Sequence, residues 1–221
     1  MAISTYAQLQ SECMDSLNRT DIAADVTDYS PATIEGAVKR AITKAELRIT
    51  RRLKTKDFET STSYSLTAGL ETSTIPTDFG AAKTFILTSN PNVVLVSKDL
   101  STLINDYPGT GTGIPASYAT FGTSFRFRPI PDSARAVTLY YYAKPTALSD
   151  SNTSNTLLTK YPDLLLYGSM VELCLHLEDD ARLQYWKGVF DEAIKDITED
   201  NTANRYSGAP IRSSIDARLV I

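Results

Sequence analysis

The fold is decided by residues 161–201, which read YPDLLLYGSMVELCLHLEDDARLQYWKGVFDEAIKDITEDN. The first part, Pro162–Leu177, is apolar on nearly every side of a helical projection, which predicts a helix that is buried on several sides. The second part, Asp179–Asn201, gathers its apolar residues on one face and predicts an amphipathic helix. These two helices need other helices to cover them, and the pattern at the beginning of the chain supplies such partners.

Two helices are predicted before residue 57. Thr5 and Gln8 form a capping pair ahead of apolar residues that recur at helical spacing. Ser30-Pro31 is a strong start signal for the second helix, because a side-chain cap is followed by proline at the first helical position. An apolar stripe then runs from Ile34 to Leu53.

From about Phe58 the hydrophobic period changes from 3.6 to 2. Turn signals separate short strand-like runs, and Leu100–Tyr107 is predicted as a short helix. The strand-like runs are Tyr64–Leu66, Thr72–Ile75, Lys83–Leu87, Val93–Ser97, Ser117–Phe121, Phe125–Arg128 and Val137–Ala143. The sequence therefore predicts an α+β fold, in which a helical bundle formed by both ends of the chain carries an inserted small antiparallel β subdomain.

This pattern divides the chain into four segments. Residues 1–57 are predicted to give the N-terminal helices of the bundle, and residues 58–147 the inserted β subdomain. Residues 148–206 are predicted to give the C-terminal helices, and residues 207–221 an extended tail.

The composition excludes some classes of protein but does not identify the function. The chain has 221 residues and a net charge of -4, which argues against a protein that coats nucleic acid over its whole surface. Its N-terminus lacks the basic and apolar regions of a secretory signal, and no apolar run is long enough for a membrane span. Cys13 and Cys174 fall on apolar helix stripes, which favours two buried free thiols over a disulfide.

No motif predicts catalysis. The loop Gly109–Gly113 lacks the Lys-Ser/Thr and the helix that a phosphate-binding loop needs, so it is interpreted as a flexible loop. His176 is the single histidine, and with Glu172 one turn earlier it gives at most a two-ligand metal site. We therefore expect no catalytic residue, no cofactor and no metal.

The second helix carries the first candidate interaction site. Basic residues line up on it at i, i+4 spacing, and like charges one turn apart destabilise a helix by roughly 0.2–0.5 kcal/mol per pair. Glu46 is the one acidic residue that offsets them locally. Compensation could come from the acidic last helix of the same chain, or from an acidic partner or nucleic acid. The candidate residues are Arg40, Lys44, Arg48, Arg51 and Arg52.

The C-terminal tail carries the second candidate site. Its apolar residues alternate with polar ones, which predicts a strand that must pair with a sheet edge. That edge could belong to its own β subdomain or to a neighbouring chain. The candidate residues are Ile211, Arg212, Ile215, Leu219 and Ile221.

Two blocks of sequence resemble a known family. The first contains Ile114–Tyr118, Phe125–Asp132 (FRFRPIPD) and Leu139–Tyr142 (LYYY), and the second is residues 145–212 with YPDLLLYG at Tyr161–Gly168. Together they cover about half of the chain. They resemble the head-to-tail adaptor proteins of short-tailed bacteriophages. The shared motifs are turn and packing signatures, so they transfer no functional residue.

The resemblance implies a structural virion protein without enzymatic activity. Such adaptors form a dodecameric ring that joins the portal protein to the tail, through a nozzle or tail-tube protein, and DNA passes through the ring without sequence specificity. The expected location is the head-tail junction of the virion, and the host cytoplasm before assembly. Two other classes stay open, namely a DNA-binding module that uses the basic second helix, and an enzyme.

Overall fold

The computed structural model of the protein describes residues 3–17, 34–89 and 91–206. These residues form two compact units. The helical unit contains the described residues before Lys56 and those from Ala147 onwards, and the sheet unit is Lys56–Thr146. Each unit has a core of its own.

Six α-helices are present in the described chain, five of them in the helical unit and α3 in the sheet unit, and a short 3-10 helix spans Lys56–Phe58. The α-helices are α1 (Tyr6–Leu17), α2 (Ile34–Arg52), α3 (Leu100–Asp106), α4 (Thr156–Lys160), α5 (Pro162–His176) and α6 (Asp180–Tyr206).

The helix ends follow local sequence signals. Before α1, the Thr5 hydroxyl accepts from the Gln8 backbone N–H at 3.3 Å, and the Gln8 side chain accepts from the Thr5 N–H at 3.2 Å. Asn155 caps α4 by accepting from the Leu158 N–H at 2.9 Å. Pro162 begins α5, where its missing N–H leaves no donor unpaired.

The core of the helical unit is built around α5, against which α1, α2, α4 and α6 pack. Its buried residues lie on nearly all sides, as the sequence predicts. Gly168 permits a close approach of α2 and α6 to α5. A Cβ at this position would lie 3.0 Å from the Phe190 ring on α6 and 3.2 Å from the Ala45 Cβ on α2.

The described residues of the sheet unit form nine strands. They are β1 (Glu59–Leu66), β2 (Thr72–Thr74), β3 (Phe79–Leu87), β4 (Val93–Ser97), β5 (Thr112–Gly113), β6 (Ser117–Phe121), β7 (Ser124–Arg128), β8 (Ile130–Pro131) and β9 (Arg135–Ala143).

Seven of these strands form one sheet in the order β1-β9-β3-β4-β6-β7-β2, and β5 pairs with β8 separately. The first strand therefore lies beside the last, with Glu59 opposite Tyr142 and Leu66 opposite Arg135. The β4–β6 pair is parallel, and the chain crosses between these strands through α3. The Asp99 side chain caps α3 by accepting from the Ser101 N–H at 3.0 Å.

The sheet is nearly closed around an aromatic core. Phe85 is fully buried at its centre, with ring centroids 4.7 Å from Tyr118, 4.9 Å from Phe125 and 5.3 Å from Phe127. These distances are typical of favourable edge-to-face contacts. The FRFR motif thus supplies core rings from one face of β7, while Arg128 from the other face pairs with Glu71 at 2.5 Å.

The predicted fold class is wrong. The structure is mixed α/β with a large seven-stranded sheet, and not a helical bundle with a small inserted antiparallel β subdomain. The individual strand-like runs were recognisable, but strand propensity carries no information on which strands pair. Pairing of β1 with β9 and the parallel β4–β6 step join all the short runs into one large sheet.

Candidate functional site

Helix α2 presents two chemically opposite faces. Its buried face consists of small and branched apolar residues that pack against α5. Its outer face carries Lys44 and Arg51, both exposed, with Leu47 between them at 52% exposure. These three residues, spaced at i, i+3 and i+7, form what we call the basic ridge. Arg40 lies one turn before Lys44 on the same side and is partly buried.

Arg48 and Arg52 form ion pairs with described acidic residues of the helical unit. Arg48 lies 2.6 Å from a carboxylate oxygen of Glu172 on α5. Arg52 lies 2.8 Å from Asp191 on α6, and its guanidinium is 5.9 Å from the centre of the Phe190 ring. Pairing with the acidic last helix of the same chain, one of the two alternatives from the sequence, is therefore seen for Arg52, whereas Arg48 pairs with α5 instead.

Glu46 does not offset the basic ridge. Its carboxylate is buried and accepts from the Leu148 N–H at 3.2 Å and from the Asn155 amide at 2.8 Å. Burial raises the pKa of Glu46 above its usual value, and the two hydrogen bonds oppose that rise in pKa in part. Glu46 therefore anchors the loop before α4, and within the described chain Lys44 and Arg51 have no ion pair.

An open groove of about 400 Å³ runs along this part of α2. Four of its lining residues are basic, one is acidic and one is apolar. They are Lys44, Leu47, Arg48, Arg51, Arg52 and Glu172. Ammonium and guanidinium donors around an exposed leucine suit a partner with carboxylates or phosphates on its surface.

The described residues offer no catalytic constellation at this groove. Glu172, the conceivable partner of His176 in a metal site, is paired with Arg48. Among the described residues, no group of three or more metal-ligating side chains occurs. Cys13 and Cys174 are free and buried, and burial raises the pKa of the Cys13 thiol to about 12.

The structure describes one of the two predicted sets of site residues and not the other. Four of the five predicted basic residues of α2 line one groove, and Arg40 is not among the residues that line it. The four are Lys44, Arg48, Arg51 and Arg52. The tail residues Ile211, Arg212, Ile215, Leu219 and Ile221 lie outside the described residues. Sequence reasoning missed Leu47, although its position between Lys44 and Arg51, off the buried stripe, was a readable signal.

The sequence profile of the SU10 adaptor protein matches residues 4–214 of this chain. The match covers both units. The chain belongs to the SU10 adaptor protein family. This membership confirms the resemblance to head-to-tail adaptors that the FRFRPIPD and YPDLLLYG blocks indicated. No curated protein sequence matches the chain.

Membership of the SU10 adaptor family gives the function in outline. The protein is a structural adaptor of a bacteriophage virion, and the family implies association with portal and tail proteins. Over the described ranges, we find no helix with the length and apolar character needed to cross a membrane.

Proposed function

We propose that this SU10-family adaptor forms a ring of twelve copies at the head-tail junction, joins the portal protein to the nozzle or tail-tube protein, and surrounds the DNA channel. The family match over residues 4–214 carries this proposal. DNA passes through the ring without sequence specificity. The protein acts through its interfaces and has no enzymatic activity of its own, and it is in the host cytoplasm before assembly.

Two surfaces make the contacts. One is the basic face of α2, with Arg40, Lys44, Arg48, Arg51 and Arg52. The exposure of Lys44 and Arg51, with no ion pair in the described chain, supports this role. The other is the C-terminal tail, which docks on a neighbouring adaptor subunit or on the portal through Ile211, Arg212, Ile215, Leu219 and Ile221. The alternation of apolar residues in the tail supports strand pairing with that neighbour.

The test is reconstitution with the phage's portal. Purified full-length chain is mixed with purified portal rings and viewed by negative-stain electron microscopy. We expect a second ring on one side of the portal, and we expect a chain ending at Ala209 to stay folded but to fail to join it. Cryo-electron microscopy of the virion that places this chain in the capsid shell or the tail fibre would overturn the proposal.

A second candidate function is a DNA-binding module that uses the basic face of α2. Lys44 and Arg51, which have no ion pair with any residue the structure describes, favour it, because phosphate contacts by lysine and arginine supply non-specific affinity for DNA. Electrophoretic mobility with duplex DNA at low and moderate salt separates the two functions. Binding that persists at moderate salt favours the DNA-binding module, and loss of all binding favours the adaptor.

A further inference from the structure

The outer face of α6 is acidic, and within the described part of the chain it is exposed. Glu192, Asp196 and Glu199 are all exposed, and their i, i+4, i+7 spacing puts them on one side of the helix. Glu192 and Asp196 have no ion pair within the described residues, and Glu199 has only a long contact of 3.8 Å to Lys195. We call these three residues the acidic ridge.

The acidic ridge matches the basic ridge of α2 in length. Lys44 and Arg51 are two helical turns apart, and so are Glu192 and Glu199. At about 1.5 Å rise per residue, both pairs span about 10.5 Å. Two such helices laid side by side bring both cations opposite both end carboxylates at once. The contact would also relieve like-charge repulsion along each helix.

One molecule cannot make this contact with itself. Asp191 already directs α6 toward Arg52 of the same chain. Glu192 is the next residue, so it is turned about 100° away around the helix. The acidic ridge also lies nearly opposite Phe190, the fully buried residue of α6. The two ridges of one chain therefore face separate partners.

We propose that the basic ridge of α2 (Lys44, Leu47, Arg51) docks on the acidic ridge of α6 (Glu192, Asp196, Glu199) of a second copy of the chain. The inference rests on the proposed ring and names the contact that closes it. A patch that binds a different patch on an identical subunit generates a ring or a filament. Charge complementarity selects this occupant over DNA, because a second copy supplies cations for the acidic ridge as well as carboxylates for the basic ridge, and DNA supplies only anions.

Charge swapping tests the contact directly. One variant carries Lys44→Glu with Arg51→Glu, and the other carries Glu192→Lys with Glu199→Lys. A third chain carries all four changes. Lys160→Glu and Asp15→Lys serve as matched controls, because both residues are exposed in the helical unit and belong to neither ridge. Folding of every variant is checked by circular dichroism and by the emission of Trp186, the single tryptophan.

We expect each two-residue variant alone to lose about tenfold or more in subunit association on portal rings. An equimolar mixture of the two variants should recover assembly, because every contact in an alternating ring then joins opposite charges. A ring of twelve has the even number that alternation requires. The four-residue chain should recover assembly by itself, and both controls should assemble normally.

Three results would overturn the inference. The first is normal assembly of either two-residue variant, and the second is a mixture of folded variants that stays unassembled. The third is a Lys44→Glu, Arg51→Glu variant that loses only DNA binding, which would assign the basic ridge to the channel. If the wild-type chain forms no ring on the portal, the proposed function fails and the inference with it. If wild-type rings form but charge swapping has no effect, this inference alone fails.

Discussion

The two units of the molecule expose different chemistry. The helical unit exposes charge, with Lys44 and Arg51 on α2 and the acidic ridge on α6, and within the described residues only Glu199 of these has an ion pair. The sheet unit exposes apolar side chains, with Val94 at 60%, Val96 at 56% and Phe121 at 59% exposure. Contacts made through exposed charges weaken as salt rises, whereas apolar contacts do not depend on charge screening. The two charged ridges and the exposed apolar side chains of the sheet unit are therefore suited to contacts that respond differently to ionic strength.

The cores of the two units differ as well. The core of the sheet unit is an aromatic cluster centred on Phe85, whereas that of the helical unit is a mainly aliphatic interior around α5. Substitutions in one core should leave the other intact if the cores are separate. Trp186 lies on α6, so its fluorescence reports the helical unit selectively.

The largest effect is expected from Phe85→Ala. Truncation of this fully buried ring should lower the free energy of unfolding by about 3–5 kcal/mol. Near-ultraviolet circular dichroism in urea measures the loss of tyrosine and phenylalanine packing. Phe121→Ala at an exposed hairpin tip is the control and should change the free energy of unfolding by less than about 0.5 kcal/mol. A native-buffer change in Trp186 emission for Phe85→Ala would contradict the separation of the two cores.

Glu46→Ala tests the buried anchor in the helical unit. It removes the acceptor for Leu148 N–H and for the Asn155 amide, and each buried donor left unsatisfied costs about 1–3 kcal/mol. Glu46→Gln retains one acceptor and should cost less. Urea unfolding followed by Trp186 fluorescence measures both variants. Equal losses for the two variants would show that these hydrogen bonds contribute little.

The raised pKa of Glu46 also gives a pH dependence. Because its pKa is higher in the folded than in the unfolded state, the folded chain binds more protons between the two pKa values. Stability from this group is therefore present below the unfolded pKa of about 4.3 and is lost as pH rises through the folded pKa. We expect the free energy of unfolding, measured in urea across this pH range, to fall less steeply with rising pH for Glu46→Gln than for the wild type. If the pH dependence of the free energy of unfolding is the same in both proteins, groups other than Glu46 cause it.

Replacing either of two helical glycines with alanine should have a smaller effect on stability. Gly188→Ala on α6 has nothing within 4 Å of the added Cβ and should stabilise the helix by about 0.5–1 kcal/mol. Gly168→Ala should instead destabilise by about 1 kcal/mol, because the Ala45 Cβ is fixed to the α2 backbone and cannot swing away. Thermal denaturation of both variants measures the difference. A stabilised Gly168→Ala variant would show that α2 and α5 can separate freely.

The smallest effect is expected from Asp191→Asn. The ion pair with Arg52 is about half exposed on both sides, and such pairs contribute about 0–1 kcal/mol. The small loss should disappear at about 1 M salt, where exposed charges are screened. Thermal denaturation at low and high salt measures this. A loss that is independent of salt would show that Asp191 contributes by something other than its charge attraction to Arg52.

The sequence predicted the helices more accurately than it predicted the sheet. The apolar run of α5 and the stripe of α2 lie where periodicity placed them, because a helix satisfies its own backbone locally. The short helix α4 was missed, since its cap Asn155 ends a Ser/Asn/Thr-rich stretch that resembles a loop. The size of the sheet was missed because it depends on β1 meeting β9, a long-range contact.

The candidate site was predictable in part. The charges of α2 were readable from their spacing, but the pairing of Arg48 with Glu172 and of Arg52 with Asp191 needed the packing of three helices. The burial of Glu46 could not be predicted from the sequence either, because a single carboxylate among basic residues suggests pairing with those residues. Family membership, by contrast, was recognisable from turn and packing motifs such as FRFRPIPD.

The hydrogen bond from Leu148 to Glu46 joins residues 102 positions apart in the chain. The helix α5, which covers the buried stripe of α2, begins even later in the chain, at Pro162. During synthesis the stripe of α2 therefore leaves the ribosome long before α5 does. At about 5–20 residues per second, the delay is roughly 5–20 seconds. All strands of the sheet unit are synthesised by Ala143, before α5 begins at Pro162. The order of folding during synthesis is thus expected to run from the middle of the chain outwards, with α2 exposed to the cell in the interval.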